Sequence, residues 1–188
     1  MYKYVLIGIP NCGKSTLGKR AADRLKMPFF DTDEMVRANM GEMRLMDTFS
    51  SYYNRRFREE QIKAVTELAN INDSAIIATG AEVALIPECV SAMQRVSVFI
   101  HLKREIKTIL DELKESAKSR NVWVNVNDGS ILDFREKAVT AFSDDIPKYD
   151  ILADFTVDNN GSEDEGADKL VSLIQSIVEV LSKKQDTD

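Results

Sequence analysis

The sequence has few of the residues that mark secreted, membrane-spanning or zinc-binding proteins. It contains two cysteines, Cys12 and Cys89, one histidine, and no apolar run long enough to cross a bilayer. The cysteines have no metal-like spacing, so we expect reduced thiols and neither a disulfide framework nor a zinc site. No charged-then-apolar signal segment precedes the first apolar run. These absences predict a cytoplasmic protein that does not bind membranes.

Positive charges are fewer than negative charges. The chain carries 25 Lys and Arg against 31 Asp and Glu, a net charge of −6, which argues against a nucleic-acid-binding surface. No linker divides the 188 residues, and 44% hydrophobic content suits one core. We therefore expect a single domain over residues 1–188, without a nucleic-acid partner, and we favour a monomer.

Short apolar runs alternate with helical patterns along the chain. This alternation predicts an α/β fold, a five-stranded parallel sheet wrapped by helices. The predicted strands cover residues 4–9, 28–31, 75–79, 96–102 and 153–157. The predicted helices cover residues 14–26, 33–40, 57–70, 103–119, 131–142 and 163–181.

The first strand runs into a phosphate-binding motif. Residues 8–16 read Gly-Ile-Pro-Asn-Cys-Gly-Lys-Ser-Thr, the Gly-x4-Gly-Lys-Ser/Thr pattern whose backbone N–H groups cradle phosphates at the start of a helix. Lys14 is expected to reach the β- and γ-phosphates and Ser15 to place its hydroxyl on Mg²⁺. The residues predicted to contact ATP are Gly8, Asn11, Cys12, Gly13, Lys14, Ser15 and Thr16. Asn11 suits a left-handed backbone.

Two carboxylates follow the second predicted strand. Asp31 and Asp33 are separated by two positions, so they point the same way if the chain is still extended there. One could help to hold hydrated Mg²⁺ while the other accepts a hydrogen bond from a substrate hydroxyl. Alternatively, Asp33 is simply the N-cap of the next helix and Asp31 is a loop carboxylate.

Arg58 lies at the start of a predicted helix, where the helix dipole disfavours a cation unless an anion lies nearby. A guanidinium grips a carboxylate through two hydrogen bonds, so Arg58 is a candidate for binding an acidic substrate. The alternative is a solvated arginine paired with Glu59 or a neighbour. Gly80, after the third strand, could bring backbone N–H groups to a ligand, although one glycine is a weak signal.

The segment 115–130 is polar and poor in glycine, which is compatible with a lid. Such a lid brings a cation over the transferring phosphoryl group and excludes water, and Arg120 is the candidate cation. A surface loop in which Trp123 packs for stability is the alternative. His101, at the end of the fourth strand, is expected to be a core-edge residue.

The order and spacing of these motifs resemble the shikimate kinase family across nearly the whole chain. The resemblance rests on Gly-x4-Gly-Lys-Ser-Thr, Phe-x-Asp-x-Asp, Phe57-Arg58 followed by Glu60, Thr79-Gly80, and the closing segment 147–158. It implies a three-layer P-loop kinase fold with a mobile lid and transfer of the γ-phosphoryl group of ATP to a shikimate hydroxyl. It further implies that Asp31 lies by the metal, Asp33 contacts the acceptor hydroxyls, Arg58 holds the acceptor carboxylate and Arg120 is the lid arginine. The implied catalytic residues are Lys14, Asp33 and Arg120.

The chain departs from the family pattern at several positions. The glycine triplet after the third strand reads Thr79-Gly80-Ala81, and the second carboxylate-binding arginine falls on Asp145. The lid's Arg-Pro-Leu-Leu becomes 120–123, Arg-Asn-Val-Trp, and no arginine clearly matches the adenine-side one near Ile109 and Leu110. An aspartate repels a carboxylate that an arginine would attract.

These departures keep two other functions open. One is a kinase of another polyol, a sugar acid or a nucleoside monophosphate. The other is a nucleotide-binding homologue that does not catalyse transfer. A GTPase is disfavoured because the sequence has no Asn-Lys-x-Asp guanine motif.

Overall fold

The structure, a computed structural model, describes residues 1–40, 51–119 and 130–185. Within these ranges the strands form one five-stranded sheet in the order β2-β3-β1-β4-β5, and each neighbouring pair is parallel. The strands are β1 Lys3–Ile7, β2 Phe29–Asp31, β3 Ala75–Ala78, β4 Ser97–Lys103 and β5 Phe155–Asp158. The predicted fold class is confirmed, and each strand lies within a few residues of its predicted position.

Helices flank the sheet. In the described residues they are α1 Lys14–Leu25, α2 Thr32–Met40, α3 Ser51–Ala69, α4 Pro87–Met93, α5 Ile106–Ser119, α6 Ser130–Leu152 and α7 Glu163–Gln185, with a 3₁₀ helix at Ala81–Leu85. The α4 and 3₁₀ helices were not predicted, because both are too short for a helical period to show in the sequence.

Helix α6 differs most from the prediction, since it continues ten residues past the predicted end and includes Pro147. Proline removes one backbone donor and normally ends or kinks a helix. Here the turn after it is held by packing: Tyr149 is 1% exposed in the core, and its hydroxyl donates to the Ala81 carbonyl at 3.0 Å. Tertiary contacts therefore override the local signal.

The sheet centre is the most deeply buried part of the fold. Every residue of β1 and β3 is buried, as expected for parallel strands covered by helices. Helices α1 and α7 pack against each other, α1 also packs on β2 and β3, and α6 packs on β4. Among the described helices, none has the length and apolar content that a bilayer crossing requires.

All strands end at the same edge of the sheet because all are parallel. The phosphate loop follows β1 at the centre of that edge, with the ends of β3 and β2 on one side and the ends of β4 and β5 on the other. Ligands of such sheets bind outside the carboxyl ends of the strands. The side chains that follow each strand are therefore the ones to examine.

Candidate active site

The phosphate loop has the backbone conformation that the motif requires. Gly8, Asn11 and Gly13 have φ values of 142°, 59° and 101°, so the predicted left-handed conformation at Asn11 is present. Gly13 immediately precedes α1, and a Cβ placed on it would lie 2.5 Å from Nδ2 of Asn159. A side chain at Gly13 would therefore be strained by its φ and would also clash with the loop after β5.

The Lys14 side chain folds back against this loop. Its Nζ donates to the carbonyl oxygens of Gly8 and Ile9 at 2.8 and 2.9 Å and lies 3.7 Å from Cys12 Sγ, and the residue is 8% exposed. Cys12 is fully buried, and its carbonyl accepts a hydrogen bond from Asn159 Nδ2 at 2.9 Å. The cation is thus held within the loop, and Cys12 is part of the packing beneath it.

A side-chain oxygen of Ser15 and one of Asp31 lie next to each other beside the loop. The Ser15 hydroxyl donates to Asp31 Oδ2 at 2.5 Å, while Asp31 Oδ1 accepts from the backbone N–H groups of Asp33 at 2.9 Å and Glu34 at 3.3 Å. Asp31 therefore caps α2, so Asp33 is not the cap. Because Ser15 is in the first turn of α1, its hydrogen bond also places the Asp31 side chain against that turn.

Asp33 lies against the end of β3. A Cβ placed on Gly80 would be only 2.3 Å from Asp33 Oδ1, so only glycine lets the chain approach this carboxylate so closely. Gly80 is held there because its N–H donates to the fully buried Thr32 hydroxyl at 2.9 Å. Burial first, and then the negative charge of Asp31, raises the pKa of Asp33, while Lys14 acts in the opposite direction.

These groups open into one cleft of about 660 Å³. Its lining includes Lys14, Ser15 and Thr16 of α1, Asp33 of α2, and Phe57 and Gln61 of α3. Leu17 of α1 and Glu112 of α5 also line it. The other lining residues follow the strands: Pro10, Asn11 and Gly13 after β1; Thr79, Gly80, Ala81 and Glu82 after β3; Arg104 after β4; and Asn159, Gly161 and Glu163 after β5. The cleft thus joins the phosphate loop to the Asp33 carboxylate.

Gln61 is a cleft residue that the sequence analysis missed. It is 2% exposed, and within the described residues its Oε1 has no hydrogen-bond partner. It precedes buried Ala64, Val65 and Leu68 by three, four and seven positions, so it occupies the apolar face of α3. A polar residue at an apolar position of a helix was the available signal.

Thr79 shows how the departure from the glycine triplet is accommodated. Its side chain is directed back to the sheet, where Oγ1 donates to the Leu6 carbonyl at 2.9 Å, and the residue is 4% exposed. The Thr79 hydroxyl therefore links the ends of β3 and β1.

Other predicted residues lie apart from the cleft. Arg58 pairs with Glu88 of α4, with Nη2 3.0 Å from Oε2, and it is not among the described residues that line the cleft. Asp145 pairs with Lys148 at 2.7 Å and does not line it either. Arg120 and lid residues 120–129 lie outside the described residues.

His101 is buried at the end of β4, as predicted. It is 1% exposed, and its Nδ1 lies 2.8 Å from Asp150 Oδ1. Burial lowers its pKa, although Asp150 acts in the opposite direction. Within the described part of the chain, no three His, Cys, Asp or Glu side chains form a group that could hold a metal ion.

Sequence comparisons with known proteins identify the family, and structural comparisons show the fold. The model of the family described as shikimate kinase matches residues 10–175. The chain is 30% identical to the shikimate kinase of Thermodesulfovibrio yellowstonii over 175 residues, which are 91% of this chain and 94% of that protein. Its fold is similar to the shikimate kinase from Acinetobacter baumannii in complex with shikimate (TM-score 0.69, 18% identity, 98% and 94% of the two chains). It is equally similar to the shikimate kinase from Bacteroides thetaiotaomicron (TM-score 0.70, 20% identity, 95% and 98%).

Proposed function

The chain belongs to the shikimate kinase family, and we propose on this basis that it transfers the γ-phosphoryl group of ATP to a hydroxyl group of shikimate. One observation carries the proposal beyond family membership. Ser15, which donates to Asp31, and Asp33, which lies against Gly80, line the same cleft as the phosphate loop. This arrangement supports a nucleotide and an acceptor that bind on adjacent sides of the same phosphoryl group.

The phosphate loop is assigned to ATP. Its backbone N–H groups and the N-terminus of α1 attract the phosphate oxygens. The Lys14 side chain already lies in the loop, where the residue is 8% exposed. When a nucleotide binds, the Lys14 ammonium exchanges the carbonyls of Gly8 and Ile9 for phosphate oxygens. It then neutralises the charge that builds up as the phosphoryl group transfers.

The pair formed by Ser15 and Asp31 fits Mg²⁺. A hydroxyl and a carboxylate are hard oxygen ligands, and Mg²⁺ commonly takes only one or two ligands from the protein and the rest from water and phosphates. When bound, the ion draws electron density from the phosphate oxygens and lowers the barrier to transfer. The 2.5 Å contact between these two side chains keeps both oxygens on one side of the loop.

Asp33 is assigned to the acceptor hydroxyl. Its pKa is raised by burial and by Asp31, so the carboxylate is a stronger base than an exposed one. It accepts the hydroxyl proton as the oxygen–phosphorus bond forms and the bond from phosphorus to the β–γ bridging oxygen breaks. Gln61, whose amide oxygen is buried without a partner in the described structure, is assigned to a second polar group of the acceptor. Arg120 is assigned to the transferring phosphoryl group.

The direct test is ADP release from Mg·ATP, measured in a coupled assay with and without shikimate. We expect a rate that depends on shikimate and saturates with it. Nucleotide binding without any shikimate-dependent ADP release would contradict the proposed activity and would support a homologue that binds ATP without transferring it.

A kinase of a polyol that lacks a carboxylate is the second candidate. On the β2 and β3 side, the described residues that line the cleft include the carboxylates of Asp33 and Glu82 and no lysine or arginine. A carboxylate-bearing acceptor is repelled there unless a cation from elsewhere reaches it. The same assay with neutral polyols distinguishes the two, since this candidate requires a faster rate with a neutral polyol than with shikimate.

Arg58 is the residue we propose to supply that cation, and Arg58→Gln tests the role. We expect KM for shikimate to rise about tenfold to a hundredfold, since a charge-assisted hydrogen bond to the carboxylate is lost, while KM for ATP stays the same. Arg56→Gln, which changes an exposed neighbour on the same helix, is the matched control. An unchanged KM for shikimate would restrict Arg58 to its exposed ion pair with Glu88.

Gly80→Ala tests the close approach to Asp33. Gly80 has φ −55°, which alanine adopts readily, but the new methyl group must displace an Asp33 carboxylate oxygen that lies 2.3 Å from it. We expect kcat to fall roughly a hundredfold, as for other small displacements of catalytic groups. The midpoint of thermal unfolding and the Kd for ADP should stay near the wild-type values, and a wild-type kcat would remove Asp33 from the chemistry.

A further inference from the structure

Arg104 has a buried donor without an acceptor at the cleft. It is the first residue after β4, and its side chain is 19% exposed. Its Nη2 donates to Glu112 Oε1 at 2.5 Å, and its Nη1 lies 3.4 Å from the Asn11 carbonyl oxygen. In the described structure its Nε is buried and has no hydrogen-bond partner. A buried N–H without an acceptor is costly, so its presence requires an explanation.

The charges around the cleft point to an anionic occupant for this donor. Among the described lining residues, two are cations, Lys14 and Arg104, and four are carboxylates, Asp33, Glu82, Glu112 and Glu163. The phosphate chain of a nucleotide is repelled by the carboxylates and needs cations directed at it. Lys14 supplies one from the centre of the sheet edge, and Arg104 supplies the other from the end of β4.

The Arg104 side chain lies beside the phosphate loop. Its contact with the Asn11 carbonyl keeps the guanidinium against the loop at that residue. The order of the strands puts β4 on the side of the loop opposite β3 and β2, away from Asp33. Arg104 is therefore placed to reach the nucleotide and not the acceptor hydroxyl.

We infer that Arg104 binds the phosphate chain of the nucleotide through its guanidinium, which pairs with Glu112 in the free protein. The inference rests on the proposed function only in taking a nucleotide as the ligand of the loop. A planar guanidinium offers Nε–H and a neighbouring N–H to two oxygens of one phosphate, which gives the unpaired Nε its acceptor. Glu112 neutralises the arginine in the free protein and is exchanged for the phosphate.

The test compares nucleotide affinities by calorimetry in the absence of any acceptor. Arg104→Gln is titrated with Mg·ATP, Mg·ADP and adenosine. Arg95→Gln serves as the matched control, because Arg95 is exposed just before β4 begins, at the other edge of the sheet from Arg104. We expect Arg104→Gln to weaken ATP and ADP binding about tenfold to a hundredfold and to leave adenosine binding within about twofold. Arg95→Gln should change none of the three affinities.

A second variant removes the partner of Arg104. Glu112→Gln releases the guanidinium and takes one negative charge from the cleft, so ADP should bind equally well or more tightly. Weaker ADP binding in Glu112→Gln would mean that the pair is structural and would overturn the inference. This variant keeps the test decisive if Arg104→Gln does not fold.

The other outcomes are also distinguishable. Unchanged ADP affinity in Arg104→Gln would overturn the inference and leave the proposed phosphoryl transfer intact. Equal losses for ADP and adenosine would assign Arg104 to the nucleoside and overturn the phosphate assignment. If the wild-type protein binds ADP but does not phosphorylate shikimate, the proposed function fails, while the comparison of Arg104→Gln with Arg95→Gln still stands.

Discussion

Replacing Lys14 with methionine is expected to lower kcat/KM for phosphoryl transfer about a hundredfold to a thousandfold. The loss follows from the position of the ammonium in the loop, where its Nζ is within 2.9 Å of two carbonyl oxygens. The charge that develops on the transferring group then has no buried cation beneath it. Steady-state assays that vary ATP and shikimate separately measure the loss.

Methionine is the better replacement because it keeps the length of the Lys14 stem, whereas alanine would also leave a cavity under the loop. Lys19→Met, on the exposed face of the same helix, is the matched control and should keep wild-type activity. A Lys14→Met enzyme with undiminished kcat/KM, or an equal loss in Lys19→Met, would disprove the assigned role. Thermal unfolding of both variants separates loss of chemistry from loss of fold.

Asp33→Asn is expected to lower kcat about a hundredfold to ten-thousandfold, because amide oxygen is a poor proton acceptor. The same change removes a partly buried charge beside Asp31, so the midpoint of thermal unfolding should stay the same or rise. Loss of activity without loss of stability is the pattern expected of a functional carboxylate. Glu34→Gln, an exposed neighbour on the same helical turn, is the control.

The pH dependence gives an independent measurement of the same role. Because burial and Asp31 raise the pKa of Asp33, its protonation on lowering the pH begins above the usual range for aspartate. Activity that needs ionised Asp33 is therefore present above the raised pKa and is lost as the pH falls through it. The acid limb of kcat/KM should disappear in Asp33→Asn, and an unchanged limb would assign it to another group.

The phosphate-loop half of the cleft could be predicted from local sequence almost completely. The phosphate loop depends on residues within nine positions of one another, and the positive φ values fall on two glycines and Asn11, which tolerate them. The predicted start of α1 at Lys14 agrees with the structure for the same reason. Local backbone preferences and helix start signals are short-range properties that a sequence displays directly.

The other half of the cleft, around Asp33, could be predicted only in outline. The spacing of Asp31 and Asp33 placed both carboxylates at a strand-to-helix junction, but their different environments depend on contacts with distant residues. Asp31 contacts Ser15, sixteen positions earlier in the chain, and Asp33 lies against Gly80, which follows β3. The Asp31 cap on α2 and the raised pKa of Asp33 both follow from these contacts.

The other placements that the sequence did not predict result from packing between helices and strands. Gln61 is polar on an apolar helix face, Arg104 follows a strand with no recognisable motif, and Arg58 pairs with Glu88 of a helix that the sequence did not reveal. Each of these placements depends on which surfaces meet, because hydrogen bonds and ion pairs form between groups far apart in the chain. A single sequence shows residue types and their spacing, but it does not show which distant residues come into contact.

The sequence alone was sufficient for the α/β class, the order of strands and helices along the chain, the phosphate loop and the resemblance to a kinase family. These depend on hydrophobic period and on short motifs, whose information is local. Tertiary structure was needed to bring Ser15 to Asp31, Gly80 to Asp33, and Arg104 to Asn11 and Glu112. The physical reason is that burial and charge pairing arise only when the sheet aligns its strand ends at one edge.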